Sequence, residues 1–473
     1  MKNNMLLVGG GVLITILLLS SEHLFDNYNG WELTSALTSI IVGVFFFAVW
    51  KMMKFEFWSP TFFVIFSLYM FHLSTLALLF FDHSIIQDEF VLLFRYESRI
   101  GFLASLYSSI FIVVFIMGCV SFKKNTLLYK VTNESIDPNI LKQTRRLGLF
   151  LFFISFPPEL YHVSMQIITR KIFGYAEVDA TVGSEINGIP IGFLFNLFIP
   201  SILLILSSYR NNKRKFTIIA LIWGIYYVAL MFFTGRKGSS ILAIIPVLFM
   251  YCLFYRIKFK LIYAVALYIL LVVMSMTTLT RFSVMDSSFS SNIAETYKKN
   301  DPIRDICLEM GGTIKGPIQA MMAVKDISDF RFGLTYPACF LDFLNEYLGF
   351  DNKMIGQYAK FNEFLSDPSR GAEVNDSVYS MGGSMIAEWY WNFGWIGVPL
   401  VYFLAFFICR YESIIYKKSK NPIQFAVYLM LLHFILKWTR GYFYDVVWLS
   451  LYTYIVISIF RKLFVSKKYY RFT

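Results

Sequence analysis

Charged residues are scarce in this sequence. Only 16% of its 473 residues are Asp, Glu, Lys or Arg, whereas 57% are hydrophobic and 19% are aromatic. Soluble globular proteins usually have about a quarter charged residues and roughly 45–50% apolar ones. Together with a mean hydropathy of +0.58, this imbalance excludes a soluble enzyme and a disordered protein. It indicates a polytopic membrane protein.

Cysteine is also rare, and the motifs of several enzyme classes are missing. The five cysteines include no CxxC pair, so we expect neither a disulfide framework nor a zinc site but small buried side chains. The sequence contains no P-loop, GxSxG, HExxH or external DxD motif, and no stretch that could form a Rossmann-like domain. Because it also lacks an acidic cluster, we expect no bound metal and no cofactor.

The apolar residues occur in blocks of about 17–25, the length that crosses the hydrocarbon core of a bilayer. Only helices or closed barrels satisfy their backbone hydrogen bonds in lipid, so these blocks predict an all-α fold. We expect the first block to be a retained span and not a signal peptide. The twelve predicted spans are 5–20, 34–50, 59–81, 101–121, 147–168, 189–208, 216–234, 239–255, 260–279, 385–409, 422–439 and 443–460.

The distribution of charge predicts the orientation of the spans. If the N-terminus is cytoplasmic, the cytoplasmic segments hold 25 of the 43 basic residues and only four of the 31 acidic ones. This asymmetry follows the positive-inside rule. The net charge of +12 is therefore a topology signal and does not indicate nucleic-acid binding. Both termini are predicted to be cytoplasmic.

One long external segment divides the chain into three predicted portions. Residues 1–279 form a nine-helix portion, 280–384 a large external loop, and 385–473 a three-helix portion with a basic cytoplasmic tail; together they make one membrane domain. A loop of this length is expected to be folded. Its amphipathic run Phe332–Phe350 is predicted to lie on the outer leaflet or to dip into it.

Cations on the external side are unexpected under the insertion rule and are therefore candidate anion sites. Arg236 and Lys237 lie in a tight glycine-flanked hairpin, Thr234–Ser239, whose cations and hydroxyls suit a phosphate. Arg281 follows the ninth span. The alternative for these residues is that they only anchor the chain at the membrane interface.

Two further groups of external cations are weaker candidates. Lys437 and Arg440 lie at the external end of the eleventh span, where Lys437 could instead pair with Asp445. Arg304 and Arg331 belong to the large loop, where most charges are solvated.

Acids and histidines within spans are costly and are functional candidates by default. Glu388, at the start of the tenth span, is placed for proton transfer; the alternative is a structural hydrogen bond. Pro157 and Pro158 are expected to break the fifth span, with Glu159 and His162 on one face as either a functional pair or a buried polar contact. The remaining span histidines, His72 and His433, are expected to be packed and not catalytic.

The string Gly383–Gly397, GSMIAEWYWNFGWIG, resembles the G-S-x-x-x-E-x-Y-x-N-F-G-x-x-G pattern of Wzy-type O-antigen and capsule repeat-unit polymerases. The TGRKG string at 234–238 is similar to the T-G-R-[RK]-G/S element of that family. The order of many spans, a late large loop, the glutamate-bearing span and two more spans also matches.

The resemblance implies a GT-C-like glycosyltransferase of the bacterial inner membrane with a periplasmic active site. Its substrates would be undecaprenyl-pyrophosphate-linked oligosaccharides, with membrane lipids around it and a chain-length-regulating co-polymerase as a partner. An acceptor hydroxyl would then need a base or an acceptor that orients it, and Glu388 is the first candidate for that role. The cations that would stabilise the pyrophosphate leaving group are Arg236, as a catalytic group, and Lys237, Arg281, Arg304, Lys437 and Arg440, as binding groups.

Three other functions are compatible with parts of the sequence. An O-antigen ligase also has many spans and a late basic loop, but a loop histidine is prominent in ligases and residues 280–384 contain none. A flippase or transporter of lipid-linked sugars would carry ionisable residues in many spans, whereas here they gather at the external face. A membrane acyltransferase would need a histidine near an external motif, for which His83 is the sole candidate.

Overall fold

The computed structural model describes residues 2–21, 30–53, 59–87, 97–122, 136–173, 191–235, 237–255, 301–326, 329–348 and 383–465, and the single residues 272, 275, 355 and 359. Nearly all of the ninth predicted span, as well as Arg236 and Arg281, lies outside the described residues.

Every regular element within the described ranges is helical. Short 3-10 helices occur at His83–Gln87, Gly312–Ile314 and Gly394–Ile396. The α-helices are α1 (Lys2–Ser20), α2 (Trp31–Met52), α3 (Pro60–His72), α4 (Ser74–Leu79), α5 (Ser98–Phe122), α6 (Pro138–Phe173), α7 (Ile191–Phe195), α8 (Phe198–Ser208), α9 (Lys213–Thr234), α10 (Lys237–Tyr255), α11 (Pro302–Gly311), α12 (Lys315–Asp326), α13 (Thr335–Leu348), α14 (Met385–Phe393), α15 (Gly397–Lys418), α16 (Pro422–Trp438) and α17 (Phe443–Phe464).

Six helical runs among the described residues are long and apolar enough to cross a membrane: α2, α5, α6, α9, the run from α14 through α15, and α17. Five shorter apolar helices lie within α1, α3, α7–α8, α10 and α16. These six long and five shorter apolar helices overlap eleven of the twelve predicted spans. Large apolar side chains are exposed along them, Phe407 and Ile225 among others. The structure therefore supports a polytopic membrane protein, while the number of twelve spans and the GT-C-like fold stay predictions.

The chain divides into two compact units. Unit 1 contains residues 1–128, 307–414 and 435–448, and unit 2 contains residues 129–306, 415–434 and 449–473. The interior helix of unit 1 is α5, because 89% of the residues in its most apolar stretch are buried.

Small residues let the helices of unit 1 approach α5 closely, as is usual in membrane proteins. A Cβ atom on Gly118 would lie 2.6 Å from both the Ala405 Cβ and the Tyr402 carbonyl oxygen of α15. On the other side of α5, the Ser105 and Ser35 hydroxyls are hydrogen-bonded at 2.6 Å and join α5 to α2. The absence of side-chain bulk at Gly118 therefore sets the contact between α5 and α15.

In unit 2, α6 corrects the prediction that two prolines break the fifth span. The helix continues through Pro157 and Pro158 for 36 residues. Each proline removes one backbone N–H donor, but the turns beside them pack on α8, where the Phe152 and Phe156 rings meet Phe198 at centroid distances of 5.7 and 5.9 Å. Packing along the helix thus outweighs the two lost hydrogen bonds.

The polar residues of the unit 2 spans make structural contacts. Glu159 accepts a hydrogen bond from the Tyr226 hydroxyl at 2.7 Å and is buried. His162 stacks on Phe195 with 4.3 Å between ring centroids. His433 Nδ1 donates to a backbone carbonyl oxygen of α10 at 2.8 Å. These contacts agree with the buried-polar alternative for Glu159 and with the packed role expected for His433.

The described part of the large predicted loop is helical. It forms α11, the 3-10 helix Gly312–Ile314, α12 and α13. The predicted amphipathic run corresponds to α13, which buries Ala338 and Phe343 on one side and exposes Leu341 and Leu344 on the other. None of the five cysteines forms a disulfide, and four of them are buried as predicted, whereas Cys307 is partly exposed.

Gly118→Ala is expected to destabilise unit 1 by about 1–3 kcal/mol, because the added methyl group must push α15 away from α5. Thermal unfolding of the purified protein in detergent measures the effect. Gly224→Ala is the matched control, since a Cβ atom there meets nothing within 4 Å and alanine favours a helix. Equal melting temperatures for the two variants would contradict the proposed α5–α15 contact.

Candidate functional site

Glu388 lies in the first turn of α14, and local sequence determines where that helix starts. Ser384 is the N-cap residue, and its Oγ accepts a hydrogen bond from the Ala387 N–H at 3.2 Å. Serine is favoured at this position because its oxygen satisfies an N–H group that has no partner within the helix. A carboxylate in the first turn is also stabilised by the helix dipole.

The Glu388 side chain is fully buried, and one of its two oxygens is bound. Oε2 accepts hydrogen bonds from the Trp438 indole N–H at 2.8 Å and from the Phe443 backbone N–H at 3.0 Å. Both donors flank the turn between α16 and α17. Oε1 is buried and has no hydrogen-bond partner among the described residues. The protein therefore fixes the carboxylate through one oxygen and leaves the other available as an acceptor.

A buried histidine holds the N-cap serine. His72 Nδ1 lies 3.0 Å from the Leu68 carbonyl oxygen, and His72 Nε2 lies 2.6 Å from Ser384 Oγ. A carbonyl oxygen can only accept, so Nδ1 carries the proton of the neutral ring and Nε2 accepts from the Ser384 hydroxyl. His72 thus orients Ser384 so that a lone pair of Oγ faces Ala387, which confirms a packed role for this histidine.

Asn392, one turn after Glu388, links α14 to α13. Its Nδ2 donates to the Glu388 carbonyl oxygen at 2.8 Å, and its Oδ1 accepts from the Thr335 hydroxyl at 2.7 Å. The Arg331 backbone N–H donates to the Trp391 carbonyl oxygen at 3.1 Å. The segment that leads into α13 is therefore bound along the C-terminal half of α14.

Two glycines of the same string are required by close contacts. A Cβ atom on Gly383 would lie 2.1 Å from the Tyr442 ring. Gly394 has φ +53°, a left-handed conformation that side chains rarely adopt, and its carbonyl oxygen accepts from the Tyr107 hydroxyl at 3.1 Å. The predicted tenth span, 385–409, is therefore interrupted between α14 and α15.

The structure brings three predicted site residues into unit 1. Besides Glu388, these are Lys437, which lies in the last turn of α16, and Arg440, which lies in the turn between α16 and α17. Lys437 Nζ lies 2.8 Å from an Asp445 carboxylate oxygen in a partly exposed ion pair. The Arg440 guanidinium lies 5.5 Å from the centroid of the Phe71 ring. The alternative of a Lys437–Asp445 pair is thus the one observed.

Of the other predicted cations that the structure describes, Arg331 belongs to unit 1 and lies 5.0 Å from the centroid of the Trp391 ring, whereas Lys237 and Arg304 belong to unit 2. Lys237 begins α10 directly after the turn that ends α9, where Gly235 has φ +74°. Lys237 is buried, and Arg304 lies in α11. Gly235 thus ends α9 in a left-handed conformation, and the predicted hairpin Thr234–Ser239 stays a prediction. Arg236 and Arg281 lie outside the described residues.

A comparison with protein families supports the resemblance seen in the motifs. A family model described as O-antigen polysaccharide polymerase Wzy matches residues 11–468, nearly the whole chain. The chain belongs to this family. No curated protein and no solved structure matches the sequence. Membership implies a polymerase activity of the glycosyltransferase kind, and Wzy proteins work in membranes on lipid-linked oligosaccharide repeat units.

Sequence reasoning missed several residues around Glu388 of this Wzy-family protein. It assigned no role to Trp438, to Ser384 or to Tyr336, whose ring packs against Trp438. It also missed Lys315, which is half-buried at the start of α12 and whose pKa is lowered by burial. A signal was available for Ser384 alone, because a serine before an apolar helical run is a typical N-cap.

Helix α12 reaches α14 through small side chains. A Cβ atom on Gly316 would lie 3.0 Å from the Ser384 Cβ, and Ala320 and Ala323 pack with Ala387 and Trp391 in one buried cluster. Lys315 therefore lies next to the residue that contacts the start of α14. Among the described residues, no group of three His, Cys, Asp or Glu side chains could hold a metal ion.

Ser384→Ala is expected to cost about 1–2 kcal/mol of stability, because the change removes the N-cap of α14 and leaves His72 Nε2 without its donor. Thermal unfolding in detergent measures this cost. Ser108→Ala is the control, since that buried hydroxyl bonds to the Ala104 carbonyl oxygen of its own helix at 2.8 Å. An Ser384→Ala variant as stable as the control would contradict the role of the cap.

Proposed function

We propose that this protein polymerises undecaprenyl-pyrophosphate-linked oligosaccharide repeat units into O-antigen or capsular polysaccharide. The reaction takes place at the periplasmic face of a bacterial inner membrane, in a protein with twelve spans, a GT-C-like fold and two cytoplasmic termini, and it needs no metal. The observation that carries the proposal is the Glu388 carboxylate, which lies in the family motif, is fixed through Oε2 and leaves Oε1 unpartnered among the described residues.

Glu388 is the proposed general base. A hydroxyl of the acceptor repeat unit attacks the anomeric carbon of the donor, and its proton passes to Glu388 Oε1. The new glycosidic C–O bond forms as the anomeric C–O bond to the pyrophosphate breaks, and the leaving pyrophosphate keeps the electron pair. Because Trp438 and Phe443 hold the other oxygen, the base has a fixed position when the acceptor arrives.

Cations stabilise the charge that develops on the pyrophosphate. The proposed residues are Arg236 and Lys237 after α9, Arg281, Arg304 and Arg440. Lys437 is the weakest member of this group, because Asp445 already neutralises part of its charge. A chain-length-regulating co-polymerase is the proposed protein partner.

A strain that lacks the gene, with and without plasmid-borne protein, separates the candidate functions. Polymerase function predicts that a gel of surface polysaccharide loses its ladder but keeps core plus a single repeat unit, since repeats are still made, flipped and ligated. The plasmid restores the ladder. Loss of everything beyond bare core would instead indicate a ligase or a flippase.

Glu388→Gln is expected to reduce polymer formation about hundredfold or more, because an amide cannot take the proton. The same gel assay, with protein levels measured by immunoblot, tests this. Glu412→Gln is a matched control: Glu412 is also buried, and its carboxylate accepts from the Thr61 backbone N–H and hydroxyl at the start of α3. That variant should lose stability but keep the ladder. A full ladder from Glu388→Gln would refute the base.

A further inference from the structure

Two buried oxygen atoms near the turn between α16 and α17 have no hydrogen-bond partner among the described residues of unit 1. Glu388 Oε1 and the Tyr336 hydroxyl are both shielded from solvent, and neither has a partner among the described residues. Buried polar groups in proteins are nearly always paired, since an unpaired one costs free energy. Such an atom at a proposed active site is a candidate contact for substrate.

The Tyr336 ring packs on the residues that hold the Glu388 carboxylate. Its centroid lies 6.4 Å from that of Trp438 and 5.1 Å from that of Phe443. These are the two residues whose N–H groups bind Glu388 Oε2. The ring also stacks on Phe393, with 6.2 Å between centroids and an angle of 22°. The phenol is therefore held by the same turn that positions the base.

The two oxygens have complementary chemistry. Burial, and next the nearby Glu388 carboxylate, raise the pKa of the Tyr336 hydroxyl well above its ordinary value, so the phenol stays protonated and can donate. Glu388 Oε1 as a carboxylate oxygen can only accept. A carbohydrate offers hydroxyls that donate and accept at adjacent carbons, and so matches this pair.

The walls around the two oxygens also suit a sugar. Trp389 and Trp438 are buried, whereas the rings of Tyr336, Phe393 and Phe443 are partly exposed. Aromatic faces offer apolar contact to the C–H face of a pyranose ring while polar groups fix its orientation.

We propose that Tyr336 and Glu388 bind the same sugar of the acceptor repeat unit. The attacking hydroxyl donates its hydrogen bond to Glu388 Oε1, and the Tyr336 hydroxyl donates to another oxygen of that sugar. Tyr336 takes no part in bond making or breaking and orients the acceptor for attack. This inference rests on the proposed polymerase function and adds an acceptor-binding residue to it.

Tyr336→Phe tests the inference, because it removes one oxygen atom and leaves the ring. Purified protein in lipid nanodiscs is supplied with lipid-linked repeat units, and polymer formation is followed against acceptor concentration. We expect the KM for acceptor to rise about tenfold, as for loss of one hydrogen bond, with a melting temperature that is unchanged or higher. If the hydroxyl had only a structural role, its loss would not raise the acceptor KM while the melting temperature stayed unchanged or rose.

Tyr226→Phe is the control with the opposite expected pattern. Its hydroxyl binds the buried Glu159 at 2.7 Å, so its loss should lower the melting temperature and leave the acceptor KM unchanged.

A double variant, Tyr336→Phe with Glu388→Gln, tests whether the two residues contribute to acceptor affinity independently. If both groups bind one sugar, the combined loss of acceptor affinity is smaller than the product of the two single losses.

The outcomes separate the inference from the proposed function. Wild-type kinetics for Tyr336→Phe would overturn the inference while polymerase function stands. An activity loss that only follows a lower melting temperature would assign the hydroxyl to stability and also overturn it. Absence of polymer from the wild-type protein would refute the proposed function, and the inference with it.

Discussion

Burying the Glu388 carboxylate requires the protein to supply hydrogen bonds that water would otherwise give. The donors come from Trp438 and Phe443, about fifty residues further along the chain, so the start of α14 must meet the turn between α16 and α17. That contact leaves no space for a side chain at Gly383, where a Cβ atom would overlap Tyr442. The hydrogen bonds of the buried Glu388 carboxylate thus hold α14 against the ends of α16 and α17 that flank the turn.

Helix α3 is bound at both ends by residues of the same region of the chain. At its start, Glu412 accepts from the Thr61 backbone N–H at 3.1 Å, and at its end His72 accepts from the Ser384 hydroxyl at 2.6 Å. Neither contact tolerates loss of a partner, since a buried donor or acceptor would be left unpaired. The position of α14, and with it Glu388, therefore depends on a helix more than three hundred residues earlier.

Local patterns in the sequence predicted much of this arrangement, and long-range contacts account for the rest. The apolar blocks predicted the helices, and the cost of placing an acid within a span identified Glu388 as a functional candidate. The sequence could not reveal that His72 meets Ser384, because 312 residues separate them. The prediction that α6 breaks at Pro157 was wrong for a related reason. It considered only the effect of proline on its own helix, whereas packing against α8 keeps α6 continuous.

Glu388 and Glu412 are two buried carboxylates that are held alike, each accepting one backbone N–H and one side-chain donor on Oε2. Glu412 binds a backbone N–H and a hydroxyl at a helix start, a role in which the charge stabilises a neighbouring element. Glu388 differs from Glu412 in its setting, because it lies in the family motif and packs near Tyr336. Glu388 Oε1 and the Tyr336 hydroxyl are both buried and have no hydrogen-bond partner among the described residues. Two unpaired groups of complementary chemistry in one cluster are costly for the folded protein, and a substrate that binds both would recover that cost.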